Sequence, residues 1–167
     1  AWSELGFQFL QLEYAGDRIW LIVDDVEQRR GFGAYAFRPD SAQAIVMQAP
    51  HSFADKQSGA ICRKLFLEGS SCAASWNTAH RSKIDTAHDN DNHLCAFTAA
   101  MAAARPQTVF VQLHGFASAK RKTRVAASTD LIVSDGTRYP RSWTHLLTRS
   151  LKQRIPEFAV RSFPNEV

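Results

Sequence analysis

The spacing of hydrophobic residues changes along the chain. Apolar and polar residues alternate over 7–13, a turn sequence follows at 15–17, and two further apolar runs cover 19–23 and 31–37. A period of two residues is typical of β-strands, and Gly and Asp are typical of the turns between them. Residues 1–40 therefore predict a β meander.

From Ala44 onward, short apolar runs alternate with segments of helical period. Strands are predicted at 45–47, 72–76, 108–113, 130–134 and 158–163, and helices at 58–69, 92–105 and 141–155. Alternation of this kind is typical of α/β proteins. The fold class predicted is α/β, a three-layer sandwich with a mixed, mostly parallel central sheet, phosphorylase/hydrolase-like, to which the meander attaches.

Length and composition add few constraints to this pattern. A chain of 167 residues that is 45% hydrophobic is expected to form a single domain, 1–167. The net charge of +4 favours acidic partners only weakly. We expect no membrane span, because no apolar stretch approaches about 20 residues. The basic run 119–124 contains no aromatic residues, which argues against a nucleic-acid partner.

The three cysteines leave the compartment open. Cys62, Cys72 and Cys95 do not have the spacing of a zinc ribbon. One disulfide and one free thiol would suit an exported protein, whereas three thiols would suit a cytosolic one. The first residues lack the features of a signal peptide, so the chain is soluble or is a mature form whose signal has been removed.

Histidines follow the ends of two predicted strands. His51 and Asp55 come after the strand at 45–49, and His114 ends the strand at 108–113. Loops converge beyond the carboxyl ends of parallel strands, so these side chains predict a zinc site with an open fourth position for water. Alternatively, His51 and Asp55 cap a turn and a helix, and His114 is a core histidine. Gly115 is predicted to let the backbone turn sharply, so that the imidazole of His114 faces the cleft.

A second polar group follows the strand at 72–76. Arg81 is a candidate for binding a carboxylate or polarising a carbonyl, with Asp85 orienting either Arg81 or His88. The alternative is that Asp85 forms a local ion pair and that 88–93 is the polar start of a helix. The basic run 119–124 is either a solvated loop or a rim that attracts an anionic substrate.

The order of these motifs resembles that of the zinc carboxypeptidase-like hydrolases, nearest to the N-formylglutamate amidohydrolases and poly-gamma-glutamate hydrolases. In those families one strand ends in a His with an acidic ligand shortly downstream, and a later strand ends in a second His. The segments 49–55 (APHSFAD) and 110–116 (FVQLHGF) look like these two motifs. Residues 81–88 look like the family's Arg-loop-Asp-x-Asn-Arg signature, with His88 in the place of its usual second Arg.

The resemblance covers residues 44–163 and implies a function. It implies a zinc-dependent hydrolase of amide or peptide bonds, acting on a peptide or a poly-acidic, glutamate-rich small substrate. It assigns the metal to His51, Asp55 and His114. It further implies a general-base glutamate on or after the last strand, for which Glu166 and Glu157 are the nearby candidates, and we assign Glu166. The catalytic residues expected are thus Arg81, Asp85, His88 and Glu166, and the substrate-binding residues expected are Arg81, His88, Lys120 and Arg121.

Two alternatives to this function stay open. The same ligands would serve a metal-dependent phosphoesterase, and the fold would also serve a non-catalytic module that binds an anionic polymer or a partner. A secreted or periplasmic protein, with its signal peptide removed, would agree with a polymer substrate outside the cytoplasm.

Overall fold

The chain is described by a computed structural model that covers residues 2–25, 27, 30–83 and 91–167. It divides into two compact units, Ala1–Gly115 and Phe116–Val167. Each unit contains its own sheet. The single domain expected from length and composition stays a prediction.

A six-stranded mixed sheet forms the first unit. Its strands lie in the order β1-β2-β3-β5-β4-β6. In chain order they are β1 (Phe7–Tyr14), β2 (Asp17–Asp24), β3 (Ala34–Phe37), β4 (Ile45–Ala49), β5 (Ala73–Trp76) and β6 (Val109–Gln112). β1 and β2 form a hairpin whose two turn residues, Ala15 and Gly16, both have positive φ, as two-residue hairpin turns require. The predicted meander is confirmed as part of the main sheet.

The prediction of a mostly parallel sheet is wrong. In this sheet β1 with β2, β2 with β3, and β3 with β5 are antiparallel pairs, whereas β4 with β5 and β4 with β6 are parallel pairs. The physical reason is that the meander joins the sheet through β3 and supplies half of its strands. In addition, the strands predicted at 130–134 and 158–163 pair with each other in the second unit. The coarser prediction of an α/β protein with a mixed sheet is confirmed.

Two helices pack against the six-stranded sheet. Helix α1 (Ser58–Glu68) contributes Cys62 and Phe66 to a core cluster with Met47 and Ala74. The cluster that Val46 and Ala73 form contacts Phe97 and Met101 of helix α2 (His93–Ala104). Successive residues of a strand point to opposite faces, so Val46 and Met47 place α2 and α1 on opposite faces of the sheet.

The second unit contains a two-stranded parallel sheet and two helices. These are α3 (Arg124–Ala127), β7 (Leu131–Val133), α4 (Ser142–Arg154) and β8 (Val160–Ser162). The basic run 119–124, predicted as a loop, contains the end of a 3-10 turn at Ser118–Lys120 and the start of α3. The short helix forms because Thr123 caps it, its side chain accepting a hydrogen bond from the N–H of Ala126.

Two further features bear on the sequence-based expectations. No disulfide joins any two of the cysteines Cys62, Cys72 and Cys95, all of which lie in the described part of the chain. None of the helices in the described residues combines the length and the apolar character needed to cross a membrane.

The parallel strands determine where a site can form. Because β4, β5 and β6 run in the same direction, their carboxyl ends lie at one edge of the sheet. The segments that leave β4 and β6 at this edge begin with 50–55 and 113–115, respectively. This arrangement brings residues that are distant in sequence to neighbouring positions in space.

Candidate metal centre

His51, Asp55 and His114 come together at this edge. Their potential ligand atoms all lie within 4.8 Å of one another. The Oδ2 atom of Asp55 lies 3.6 Å from Nδ1 of His51 and 3.4 Å from Nδ1 of His114. The two imidazole rings have centroids 5.4 Å apart and are steeply inclined to each other. The carboxylate oxygen therefore faces both rings.

Backbone hydrogen bonds hold Asp55 in this position. The carbonyl oxygen of His51 accepts bonds from the N–H groups of Ala54 and Asp55, at 2.9 and 2.8 Å. The carbonyl oxygen of Asp55 accepts bonds from the N–H and the hydroxyl of Ser58, the first residue of α1. The N-cap position of α1 is Gln57, two residues after Asp55, so Asp55 is not the N-cap residue of this helix.

The surroundings of the Asp55 carboxylate indicate whether these residues fit a metal ion. Its Oδ2 atom is buried and has no hydrogen-bond partner among the described residues. A buried polar atom without a partner is costly, and an ion pair or a metal can remove that cost. Ligands about 2.1 Å from a tetrahedral zinc ion lie about 3.4 Å apart. The separations of 3.4 and 3.6 Å are close to that value, and all three ligand atoms lie within 4.8 Å of one another, so the group has the donors and the spacing to hold a metal ion such as zinc.

Exposure differs between the three residues. His51 is 3% exposed and Asp55 9% exposed, whereas the side chain of His114 is 42% exposed. Solvent therefore reaches the group from the side of His114. A zinc ion held by three protein ligands keeps its fourth position for water or substrate, and this exposed side is where that position would have to lie.

Gly115 has a different role from the one predicted. Its backbone does not have the left-handed conformation that favours glycine. Instead, a Cβ atom at this position would lie 3.1 Å from Cβ and 3.2 Å from Cα of Asp55. These contacts are tighter than normal carbon–carbon packing distances. A side chain at this position would therefore press on Asp55, because the segment after β6 passes directly against that residue.

We predict that Gly115→Ala weakens zinc binding by displacing Asp55 and that it destabilises the fold by about 1–3 kcal/mol through overpacking. Isothermal titration calorimetry measures the zinc affinity, and urea denaturation measures the stability. Gly16→Ala is the matched control, because Gly16 has φ of 86°, nothing lies within 4 Å of an added Cβ, and the β1–β2 turn is distant from β6 in the strand order. It should lower stability and leave zinc affinity unchanged. Equal zinc affinities for wild type and Gly115→Ala would contradict this role.

The other predicted site residues of the first unit are only partly described. Arg81 is exposed in the turn that follows β5. Asp85 and His88 lie outside the described residues. Their predicted roles in orienting or binding the substrate stay predictions.

Two of the three predicted site residues of the second unit, Arg121 and Glu166, have local partners. Lys120 is exposed, and the guanidinium of Arg121 lies 4.4 Å over the ring of Phe116. Glu166 accepts hydrogen bonds from Nζ of Lys152 and from the backbone N–H of Ser162, both at 2.8 Å. These bonds, that of Lys152 first, lower the pKa of Glu166 from its ordinary value of 4.5. A carboxylate stabilised in this way is a weaker base, which does not favour its predicted role.

Sequence reasoning missed Gln48 and Gln112. Gln48 is fully buried in β4, and its amide is hydrogen bonded to the amide of Gln112 in β6 at 3.0 Å. The side-chain oxygen Oε1 of Gln112 in turn lies 3.5 Å from Nε2 of His114. A signal was available, because glutamine is unusual in the apolar strand sequences 45–49 and 109–112.

Comparisons of the chain with known protein families, with curated proteins and with solved structures found no match. The resemblance to the zinc carboxypeptidase-like hydrolases therefore stays a prediction based on motif order. The case for a metal centre depends on the geometry of this chain alone.

Proposed function

We propose that this protein is a zinc-dependent hydrolase of amide or peptide bonds, built on a three-layer hydrolase-like sandwich. One observation carries the proposal. The Oδ2 atom of Asp55 lies 3.6 Å from Nδ1 of His51 and 3.4 Å from Nδ1 of His114, which are separations expected between zinc ligands. This oxygen is buried and has no hydrogen-bond partner among the described residues. Two imidazoles and one carboxylate at the carboxyl edge of a sheet are typical ligands of a catalytic zinc ion.

The metal would supply two things to the reaction: it would polarise a carbonyl oxygen and lower the pKa of a bound water. His51 and Asp55 are buried and would hold the inner side of the ion, and exposed His114 would border the open position. We assign no proton transfer to Glu166, because Lys152 and Ser162 already stabilise its ionised form.

The substrate we propose is acidic, such as a glutamate-rich peptide. Arg81 lies in the turn after β5, the neighbour of β4 in the sheet, and we assign it the binding of a substrate carboxylate. The second unit, 116–167, contains ten Lys and Arg residues and only four Asp and Glu residues. Such an excess attracts anionic molecules through long-range electrostatics.

A secreted or periplasmic location belongs to the same proposal, because an acidic polymer substrate would lie outside the cytoplasm. The three cysteines, which form no disulfide with one another, give that location no support.

The function is tested by assaying the zinc-loaded protein on short γ-glutamyl peptides and on a phosphate monoester. We expect hydrolysis of the peptides, loss of activity on chelation, and recovery when zinc is returned. His51→Ala and His114→Ala should be inactive under the same conditions. Asp40→Ala, which changes an exposed carboxylate paired only with Arg18 in the described structure, is the control and should keep full activity.

Two other results would replace this proposal with one of its alternatives. Hydrolysis of the phosphate ester but not of the peptides would make the protein a phosphoesterase that uses the same ligands. Absence of hydrolysis, together with salt-sensitive binding of poly-glutamate that survives His51→Ala and His114→Ala, would make it a binding module.

A further inference from the structure

A chain of side-chain hydrogen bonds runs from helix α2 through the sheet to His114. The hydroxyl of Thr98 bonds to the carbonyl oxygen of Leu94 at 2.7 Å, and Nε2 of Gln48 lies 2.9 Å from the Thr98 hydroxyl. Nε2 of Gln112 bonds to Oε1 of Gln48 at 3.0 Å, and Oε1 of Gln112 lies 3.5 Å from Nε2 of His114. Four side chains therefore connect α2 with the candidate metal centre.

Which group donates and which accepts in each of these hydrogen bonds is determined at the buried end of the series. The carbonyl oxygen of Leu94 can only accept, so the hydroxyl of Thr98 must donate to it and accept from Gln48. The amide of Gln48 then presents its oxygen to Gln112, and Gln112 must use its NH₂ group there. The oxygen of Gln112 is thereby turned toward His114, where it can only accept.

The donor and acceptor roles in these bonds indicate which nitrogen of the His114 ring carries the hydrogen. Because Gln112 presents an acceptor 3.5 Å from Nε2 of His114, this contact favours the neutral tautomer with the hydrogen on Nε2, which leaves the lone pair on Nδ1. Nδ1 is also the atom that lies 3.4 Å from the Asp55 carboxylate. Two acceptors facing each other at this distance repel unless a cation lies between them.

We propose that Gln112, held by Gln48, is a positioning residue that commits His114 to binding the metal through Nδ1. The inference depends on the metal centre proposed above and extends it to residues that do not touch the ion. Hydrogen bonds of this kind orient metal-binding histidines and increase their basicity. Gln48 is well suited to this role because it is fully buried in β4 and also lies 3.4 Å from the hydroxyl of Ser75 in β5.

Long-range ¹H–¹⁵N NMR spectra of the histidine rings test the inference in the zinc-loaded protein. The signals of His114 are assigned by their loss in His114→Ala. We expect zinc on Nδ1 and a hydrogen on Nε2. Zinc on Nε2, with the hydrogen on Nδ1, would overturn the proposed role of Gln112 while leaving the metal centre in place. A wild-type protein that takes up no zinc would instead contradict the metal centre itself, so the two failures are distinguishable.

Variants of Gln112 test the same inference by affinity. Gln112→Leu removes the acceptor, and we expect zinc affinity to fall by about 10-fold or more, as for other residues that orient a metal-binding histidine. Gln112→Glu keeps an acceptor for Nε2 and should bind zinc more tightly than Gln112→Leu. Gln112 is exposed, so neither change should unfold the protein. Gln11→Leu, at an exposed position of β1, is the matched control and should bind zinc like the wild type.

A role for Gln112 in packing alone predicts a different order. Leucine would then be tolerated at least as well as glutamate, and zinc affinity would not follow the presence of an acceptor. Equal affinities for wild type and Gln112→Leu would overturn the inference.

Discussion

Zinc is expected to raise the thermal unfolding temperature of the wild-type protein, and Asp55→Asn is expected to abolish this increase. A ligand at 100 times its dissociation constant stabilises the folded state by about 2.7 kcal/mol. For a chain of this size that corresponds to roughly 5–11 °C. The neutral amide of the variant would lack the negative charge that Asp55 places between the imidazoles of His51 and His114. Zinc affinity should fall by more than about 100-fold. Removing a residue that only hydrogen bonds to a metal ligand already lowers metal affinity by about 10–100-fold.

The metal-free proteins distinguish a metal ligand from a structural residue. Without zinc, Asp55→Asn should be at least as stable as the wild type, because it removes a buried negative charge whose Oδ2 atom has no hydrogen-bond partner among the described residues. Asp40→Asn changes an exposed carboxylate and should keep the full zinc effect. If Asp55→Asn destabilised the metal-free protein and kept the zinc effect, Asp55 would be a structural residue. Differential scanning calorimetry with and without zinc measures both quantities.

Replacing Arg38 with methionine should produce the largest loss of stability outside the metal centre. The guanidinium of Arg38 is buried and bonds Oδ2 of Asp17 at 2.6 Å and the carbonyl oxygens of Ser71 and Phe66 at 2.7 and 2.9 Å. It also lies 4.8 Å over the ring of Phe66 in the last turns of α1. We expect a loss of about 3 kcal/mol, the lower end for breaking a buried ion pair, because the side chain of Asp17 is 51% exposed.

Arg18→Met is the matched control for this prediction. Arg18 bonds both carboxylate oxygens of Asp40 at 3.0 Å, but both side chains are exposed. An exposed ion pair contributes less than about 1 kcal/mol, so this substitution should change the urea midpoint only slightly. Equal losses of stability for the two variants would contradict the expected contribution of the buried bonds of Arg38.

The sequence was sufficient to predict the local elements and the convergence of the side chains of His51, Asp55 and His114. Parallel strands that end at one edge bring His51 and His114 together whichever strands pair elsewhere, and the four-residue spacing to Asp55 spans one turn before α1. The spacing of hydrophobic residues along a segment depends on which face of that segment is buried, which explains why most predicted strands and helices are present.

Strand pairing could not be predicted in the same way. The residues of β3 look the same whether this strand lies beside β5 or at the edge of a separate hairpin, because its pairing depends on a distant segment. The same is true of β7 and β8, which have strand sequences but pair outside the main sheet. This is why the sheet contains more antiparallel pairs than predicted.

The chemistry of single residues also depended on distant partners. Glu166 is an ordinary carboxylate in the sequence, and only the fold shows that Lys152 and Ser162 stabilise its charge. Gln48 and Gln112 are hydrogen bonded because β4 and β6 are neighbours in the sheet, a pairing that the sequence does not specify. Gly115 stands out in the sequence because it follows His114, but the close approach of its backbone to Asp55 depends on the tertiary fold.

Metal content is the most direct test of the central claim that His51, Asp55 and His114 form a zinc site. Elemental analysis is performed on protein purified without chelators and then equilibrated with a mixture of divalent metals. We predict one zinc ion per chain in the wild type and in Asp40→Asn, and none in His51→Ala or His114→Ala. Wild-type protein without stoichiometric zinc, or equal zinc in the histidine variants, would contradict the claim.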